Sequence, residues 1–195
     1  MRIITGRAKG LKLIAPTGLD VRPTADRVKE SLFNILCMKV LDAKVLDLFA
    51  GSGNLGLEAW SRGAKQVVFV DSSKVSIDCL KKNITKAKAN SYVKIYLNDA
   101  VKSMELLSEK GYVFDIIFCD PPYSNGLEKL VIEGVAKNSL LSKDGILVLE
   151  HSKQDILSSF NELVVYRVER YGNTHLTFLK WKFEEEQCEE SNLSR

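Results

Sequence analysis

Asp120, Pro121, Pro122 and Tyr123 follow directly on the apolar run 113–119, which predicts a buried parallel strand. A carboxylate, two prolines and an aromatic ring are thereby placed at a strand's carboxyl end, where open α/β sheets bind ligands. Consecutive prolines fix two φ angles and remove two backbone donors, so the segment presents rigidly held acceptors. Tyr123 adds a flat ring beside them. The combination suits a planar substrate with an exocyclic amino group, whose two N–H donors find acceptors while its ring stacks. Asp120, Pro121, Pro122 and Tyr123 are therefore the candidate catalytic residues.

A second chemical element lies in residues 46–56, where Gly51, Gly53 and Gly56 match the pattern G-x-G-x-x-G between an expected strand and an expected helix. Asp71 follows 20 residues after Gly51, at the end of the next strand. Alone, this describes a dinucleotide site and a dinucleotide-dependent oxidoreductase. Asp47 argues otherwise, because a carboxylate beside the glycine turn would meet a pyrophosphate as anion against anion. A ligand with an ammonium group and no phosphate fits better, and S-adenosyl-L-methionine is one. Its amino group would face Asp47, its ribose Asp71, and its adenine the cluster Asn98-Asp99-Ala100. Phe49, Asn54 and Ser72 complete the candidate cofactor-binding set. Asp47, Asp71, Asp99 and Asp120 then end four successive strands as one rim, although Asp99 can equally cap the helix that follows it.

The elements that must position these residues are legible along the chain. Apolar runs predict strands near 44–49, 66–71, 93–97, 113–119 and 145–150. Helical spacing predicts helices over 25–40, 54–62, 73–89, 100–109 and 126–138, with Thr24 as an N-cap and Gly63 and Gly111 at helix C-termini. Residues 2–14 read as a short basic β-hairpin, and strands near 163–170 and 174–182 as a terminal hairpin around Gly172-Asn173. Alternating strands and helices imply an α/β fold with a doubly wound, mostly parallel sheet and an antiparallel edge.

Four segments carry a family resemblance: Ile4-Thr5-Gly6-Arg7, residues 22–34, residues 46–53 with their continuation at 55–59, and Asp120-Pro121-Pro122-Tyr123. Together they resemble the small-subunit (16S) ribosomal RNA guanine-N2 methyltransferase family, within the class I S-adenosylmethionine-dependent methyltransferases. The glycine loop and Asp-Pro-Pro-Tyr are shared with many amino-methyltransferases; the segment at 22–34 and the basic N-terminus narrow the family. Asn54 departs from the small apolar residue usual there, and Tyr123 stands where Phe is also common. The resemblance implies a seven-stranded Rossmann-like sheet and a three-part division: a basic N-terminal extension at 1–22, a methyltransferase domain at 23–183 and an acidic tail at 184–195. It further implies methylation of a guanine N2 in 16S rRNA, with the RNA or the assembled small subunit as partner. In that chemistry Asp120 and the Pro121 carbonyl would accept the two N2–H donors, Pro122 would shape the turn and Tyr123 would stack on the base.

Charge agrees with a polyanionic partner. The 195 residues carry a net charge of +3, but 184–195 hold five glutamates against Arg195, which leaves +7 on the rest. The tail is expected to be disordered. Arg7, Lys9, Lys12, Arg22 and Arg27 are the candidate RNA contacts, with Lys29 beside them. The N-terminus lacks a signal-like apolar segment and no stretch is long enough for a membrane span, so the expectation is a cytoplasmic protein without a membrane partner. Four scattered cysteines and two histidines give no metal-ligand spacing, and no metal is expected. An adenine-N6 methyltransferase, a dinucleotide-dependent oxidoreductase and a non-catalytic RNA-binding module remain as alternatives.

Overall fold

A computed structural model describes residues 1–15, 26–121, 127–152, 160 and 162–182. After α1 (Asp26–Leu36) and a 3-10 turn (Cys37–Val40), strands and helices alternate. They run β1 (Lys44–Asp47), α2 (Asn54–Ser61), β2 (Gln66–Asp71), α3 (Lys74–Ala87), β3 (Val93–Leu97), α4 (Ala100–Glu109), β4 (Phe114–Cys119), α5 (Leu127–Lys137) and β5 (Leu141–Ser152). A hairpin of β6 (Leu163–Tyr171) and β7 (Thr174–Trp181) closes the chain. The seven strands form one sheet in the order β3-β2-β1-β4-β5-β7-β6. β1 to β5 pair in parallel, while β7 runs antiparallel to both β5 and β6. This is the doubly wound, seven-stranded architecture that the alternating pattern predicts.

Strand periodicity divides the core between the two faces of the sheet. Val45, Val67, Phe69, Ile116, Phe118 and Val148 pack under α1, α2 and α3, whereas their neighbours Leu46, Val68, Val70, Ile117 and Leu147 pack under α4 and α5. Burial on both faces is why these strands read as continuous apolar runs rather than as alternation. β1 lies between β2 and β4, so the chain winds in opposite senses on its two sides. A crevice therefore opens at the carboxyl ends of β1 and β4.

Among the boundaries that differ from the sequence expectation, three have a local physical cause. The first helix breaks at Cys37, where φ reaches 44°, and only a 3-10 turn continues it. β1 ends at Asp47, although the Leu48 amide still reaches the Phe118 carbonyl at 3.0 Å before the glycine turn begins. β5 starts at Leu141, four residues before the expected start, because a register shift between Phe114 and Ile116 keeps it paired with β4. The expected cap Thr24 lies outside the described residues.

The N-terminal segment is a turn-rich hairpin closed by a single bridge between Arg2 and Lys12. Its Ile3 and Leu13 enter the same core as β1 and β2. What holds it there is charged. Glu58 on α2 is fully buried and accepts the backbone amides of Ile4 (2.7 Å) and Thr5 (3.1 Å), and Arg62 Nε (2.8 Å). Lys29 on α1 is also fully buried; it lies 3.4 Å from Glu58 and donates to the Arg2 carbonyl (2.6 Å) and to Asn54 Oδ1 (2.8 Å). Burial pushes the Lys29 ammonium pKa down, and Glu58 opposes that shift. Gly6 completes the contact: at φ 87° it lies so close to the end of α2 that a Cβ would come within 1.8 Å of the Ser61 carbonyl oxygen.

Removing one partner of a buried ion pair leaves an uncompensated charge and typically costs about 3–5 kcal/mol. Glu58→Ala should therefore lower stability in urea unfolding by at least about that amount, whereas Lys29→Met/Glu58→Leu should recover only the part due to the orphaned Lys29 charge, because the Ile4 and Thr5 amides still lack their acceptor. Equal losses in the single and double variants would contradict this account of the pair.

Candidate functional site

Asp47 closes β1, is 4% exposed, and accepts the Gly56 amide on Oδ2 at 2.9 Å. The contact requires glycine at 56: a Cβ there would fall 2.2 Å from the Phe69 ring and 3.0 Å from Asp47 Oδ2. Asp71, at the end of β2, accepts the Gly51 amide on one oxygen and the Ser73 amide on the other, each at 2.8 Å. Gly51 and Gly53 take left-handed φ values of 53° and 84°, which glycine adopts without steric cost. A Cβ on Gly51 would meet nothing within 4 Å, so the loop has open space in front of it.

The donors of this loop are largely consumed by the protein. The amides of residues 50, 51, 53 and 56 bond to the Val70 carbonyl, Asp71, the Ala50 carbonyl and Asp47, respectively. A pyrophosphate site needs such amides turned outward at a helix N-terminus. Here they are occupied, and a carboxylate stands where a phosphate would lie.

Asp120 emerges from β4 beside Glu150 of β5, since Cys119 and Leu149 are register partners in that parallel pair. Asp120 keeps some exposed surface at the rim, yet protein surrounds its carboxyl on most sides. Burial pushes its pKa well above the usual carboxylate range, and Glu150 and then Asp47 add to the rise. Burial likewise raises Asp47 to about 7; the Gly56 amide opposes this and Asp71 reinforces it. Three carboxyl groups from β1, β4 and β5 thus share a region that resists full ionisation. Pro121 is buried next to Asp120, while Pro122 and Tyr123 lie outside the described residues.

The remaining candidates divide. Phe49 is half-buried and packs on the core beneath α4, and Ser72 is exposed at the end of β2. Asp99 is the N-cap of α4, accepting the Val101 and Lys102 amides at 2.9 and 3.1 Å; Asn98 accepts the Asp99 amide, and Ala100 is buried. Asn54 turns its side-chain oxygen toward Lys29. Among the candidate RNA contacts, Arg7, Lys9, Lys12 and Arg27 are exposed, and Arg22 lies outside the described residues. Arg7 stacks over Trp60 and Tyr92, 5.2 and 5.5 Å from the ring centroids. Lys29 is the correction: its helical position next to Arg27 suggested a phosphate contact, but it faces inward, fully buried against Glu58. Glu150 was missed, although it ends an apolar run like the four aspartates and the same strand-end rule would have found it. Glu58 gave no such signal, because nothing local marks a mid-helix glutamate as buried.

Comparison with known proteins agrees with this geometry. The family described as Conserved hypothetical protein 95 matches residues 1–180. YlbH of Bacillus subtilis is 36% identical over 181 residues, covering 92% of this chain and 98% of its own. Ribosomal RNA small subunit methyltransferase D of Escherichia coli is 38% identical over 150 residues, covering 77% and 74%. The solved structure of yhhF from Escherichia coli superposes with a TM-score of 0.83 at 32% identity, covering 93% of this chain and 98% of that one.

The elevated Asp47 pKa carries a stability consequence of definite sign. Between the ordinary carboxylate value and about 7 the group is protonated in the folded chain and ionised in the unfolded one. The folded state then binds more protons, so its stability falls as pH rises through that window. Asp47→Asn keeps an oxygen for the Gly56 amide and removes the titration. Its melting temperature should exceed that of the wild type at pH 8 by several degrees and match it near pH 5. Equal pH dependence in the two chains would refute the assignment.

Proposed function

The chain belongs to the family described as Conserved hypothetical protein 95, and on that premise we propose that it transfers a methyl group from S-adenosyl-L-methionine to the exocyclic N2 of a guanine in 16S ribosomal RNA. The observation that carries the reading is the Asp120 carboxyl. It stands at the carboxyl end of β4, next to buried Pro121, with its pKa raised by burial and by Glu150.

S-adenosylmethionine, when bound, supplies an electrophilic methyl group on a sulfonium. The residues present fit it. Asp47 offers a buried carboxyl with no cationic partner among the described residues, which an ammonium group would stabilise in its ionised form. Asp71 holds Gly51 and Ser73 through one lone pair on each oxygen and keeps others for ribose hydroxyls. Asn98 and Asp99 border the place for the adenine, and the open side of Gly51 leaves room for the chain between. With the Gly51, Gly53 and Gly56 amides bonded internally and the Asp47 carboxyl beside them, the loop suits a dinucleotide's pyrophosphate poorly.

Guanine N2 is a weak nucleophile because its lone pair is delocalised into the ring. Asp120 and the Pro121 carbonyl accept its two N–H donors and turn the lone pair toward the methyl group. Positioning of this kind lowers a barrier without any strong base. As the nitrogen gains positive charge, the carboxylate stabilises it, and the raised basicity of Asp120 equips it to take the departing proton. Pro122 shapes the turn and Tyr123 stacks on the base, which must leave its helical stack to arrive there. The basic extension at 1–22, with exposed Arg7, Lys9 and Lys12 and with Arg22, together with Arg27 in the domain at 23–183, holds RNA phosphates.

The test is labelled methyl transfer to 16S rRNA and to assembled small subunits, followed by identification of the modified nucleoside. N2-methylguanosine is expected; N6-methyladenosine would place the chain among adenine-N6 methyltransferases instead. Asp120→Ala should lower the rate at least about 100-fold while S-adenosylhomocysteine affinity stays within about twofold. Glu150→Gln should move the acid limb of the wild-type pH–rate profile to lower pH, because it removes the charge that raises Asp120.

A further inference from the structure

At the end of the sheet opposite the acid rim lies a pocket of about 400 Å³. Lys44 opens β1, Gln66 opens β2 and Lys94 is the second residue of β3, so all three stand at the amino ends of parallel strands. Lys110, the C-cap of α4, and the rings of Tyr96 and Tyr112 complete the wall. At about 3.3 Å per residue, strands of four to six residues separate this pocket from the rim by roughly 13–20 Å.

The pocket concentrates donors. Three ammonium groups share it, no carboxylate lines it, and none of the three lysines has an ion-pair partner among the described residues. Asp115 is close to Lys44, but its two oxygens accept the Lys44 backbone amide (2.9 Å) and the Ser142 hydroxyl (3.0 Å). Lys94 Nζ donates instead to the Tyr112 hydroxyl oxygen at 2.6 Å and lies 5.2 Å from that ring's centroid. The Tyr96 and Tyr112 hydroxyls interact with one another.

An oxygen that accepts a hydrogen bond from a cation makes its own O–H a stronger donor. Burial pushes the Tyr112 pKa up, but the bonds from Lys94 and Tyr96 and the charges of Lys94 and Lys110 outweigh it and bring the phenol below its ordinary value. The C-terminal carbonyls of α4 oppose an anion with about half a charge, against three full positive charges. A phosphate group, with a negative charge and several acceptor oxygens, satisfies every one of these donors.

We propose that this pocket is a phosphate-binding site, in which Lys44, Lys94, Lys110 and the Tyr112 hydroxyl hold one phosphate group away from the methyl-transfer cleft. β3 is an edge strand, so the site is open to the side of the molecule. The phosphate can come from the backbone of an RNA strand that passes round this edge or from a small phosphate-bearing ligand. The site stands on its own donors and does not depend on which base is methylated.

Inorganic pyrophosphate is the first probe, titrated into the full chain carrying 13C-labelled tyrosine and followed by NMR. The Tyr112 resonance, identified by its loss in Tyr112→Phe, should shift and saturate at millimolar pyrophosphate. In Lys94→Gln/Lys110→Gln the saturation should weaken about tenfold or vanish, while unchanged S-adenosylhomocysteine binding shows that the fold is intact. The second arm is RNA binding against salt. If the phosphate belongs to RNA, the slope of log affinity on log salt should become shallower in the double variant by about 1–2, since each phosphate contact contributes about 0.7–0.9. An unchanged slope together with a pyrophosphate response assigns the site to a small ligand. A Tyr112 resonance that ignores pyrophosphate, or that moves equally in the double variant, overturns the proposal.

Discussion

The bond between the Asp47 carboxylate and the Gly56 amide is the constraint around which the ligand end of this molecule is built. It joins the end of β1 to the first turn of α2 across the glycine loop and depends on position 56 having no side chain. It also places an acid where a helix N-terminus would otherwise attract a phosphate. Because the acid is buried, its protonated form is favoured until something positive arrives. One backbone contact thereby fixes the loop, excludes one class of ligand and favours another.

A second polar knot ties in the N-terminal segment. Short and turn-rich, it contributes only Ile3 and Leu13 to the fully buried core. Glu58 compensates by satisfying two of its backbone amides, and Lys29 satisfies one of its carbonyls. A buried charge is tolerable only when paired and hydrogen-bonded, and each of these two meets that condition through the other. Lys29 also reaches Asn54, the first residue of α2 after the glycine loop. The segment carrying exposed Arg7, Lys9 and Lys12 is thus bonded to the helix that frames the cofactor end.

Much of this was legible in the sequence, and the reason is periodicity. β1, β2, β4 and β5 are buried on both faces, so each contains an apolar run, and each run is followed by an acidic residue toward the crevice, whereas the edge strand β3 is only partly buried. Asp47, Asp71 and Asp120 could be located from that rule alone. Glu150 obeys it too, at the end of the fifth run. Lys29 and Asn54 were illegible for a different reason: their surroundings come from α2 and the N-terminal hairpin, tens of residues away in sequence. The lysine pocket was invisible for the same reason, since Lys44, Lys94 and Lys110 meet only when three strands and a helix end are brought together.

The two ends of the sheet carry opposite charge, and the parallel architecture explains why. In each βα unit the helix begins at the carboxyl end of its strand and returns to the amino end. Helix N-termini, with partial positive charge, gather at the crevice, and helix C-termini, with partial negative charge, gather at the opposite end. Acids are tolerated at the first and cations at the second: Asp99 caps the start of α4, and Lys110 stands at its finish. The same alternation that builds the sheet therefore gathers carboxyl groups at one end. At the other end three exposed lysines stand near the carbonyl end of α4. An anion is the group such a cluster lacks.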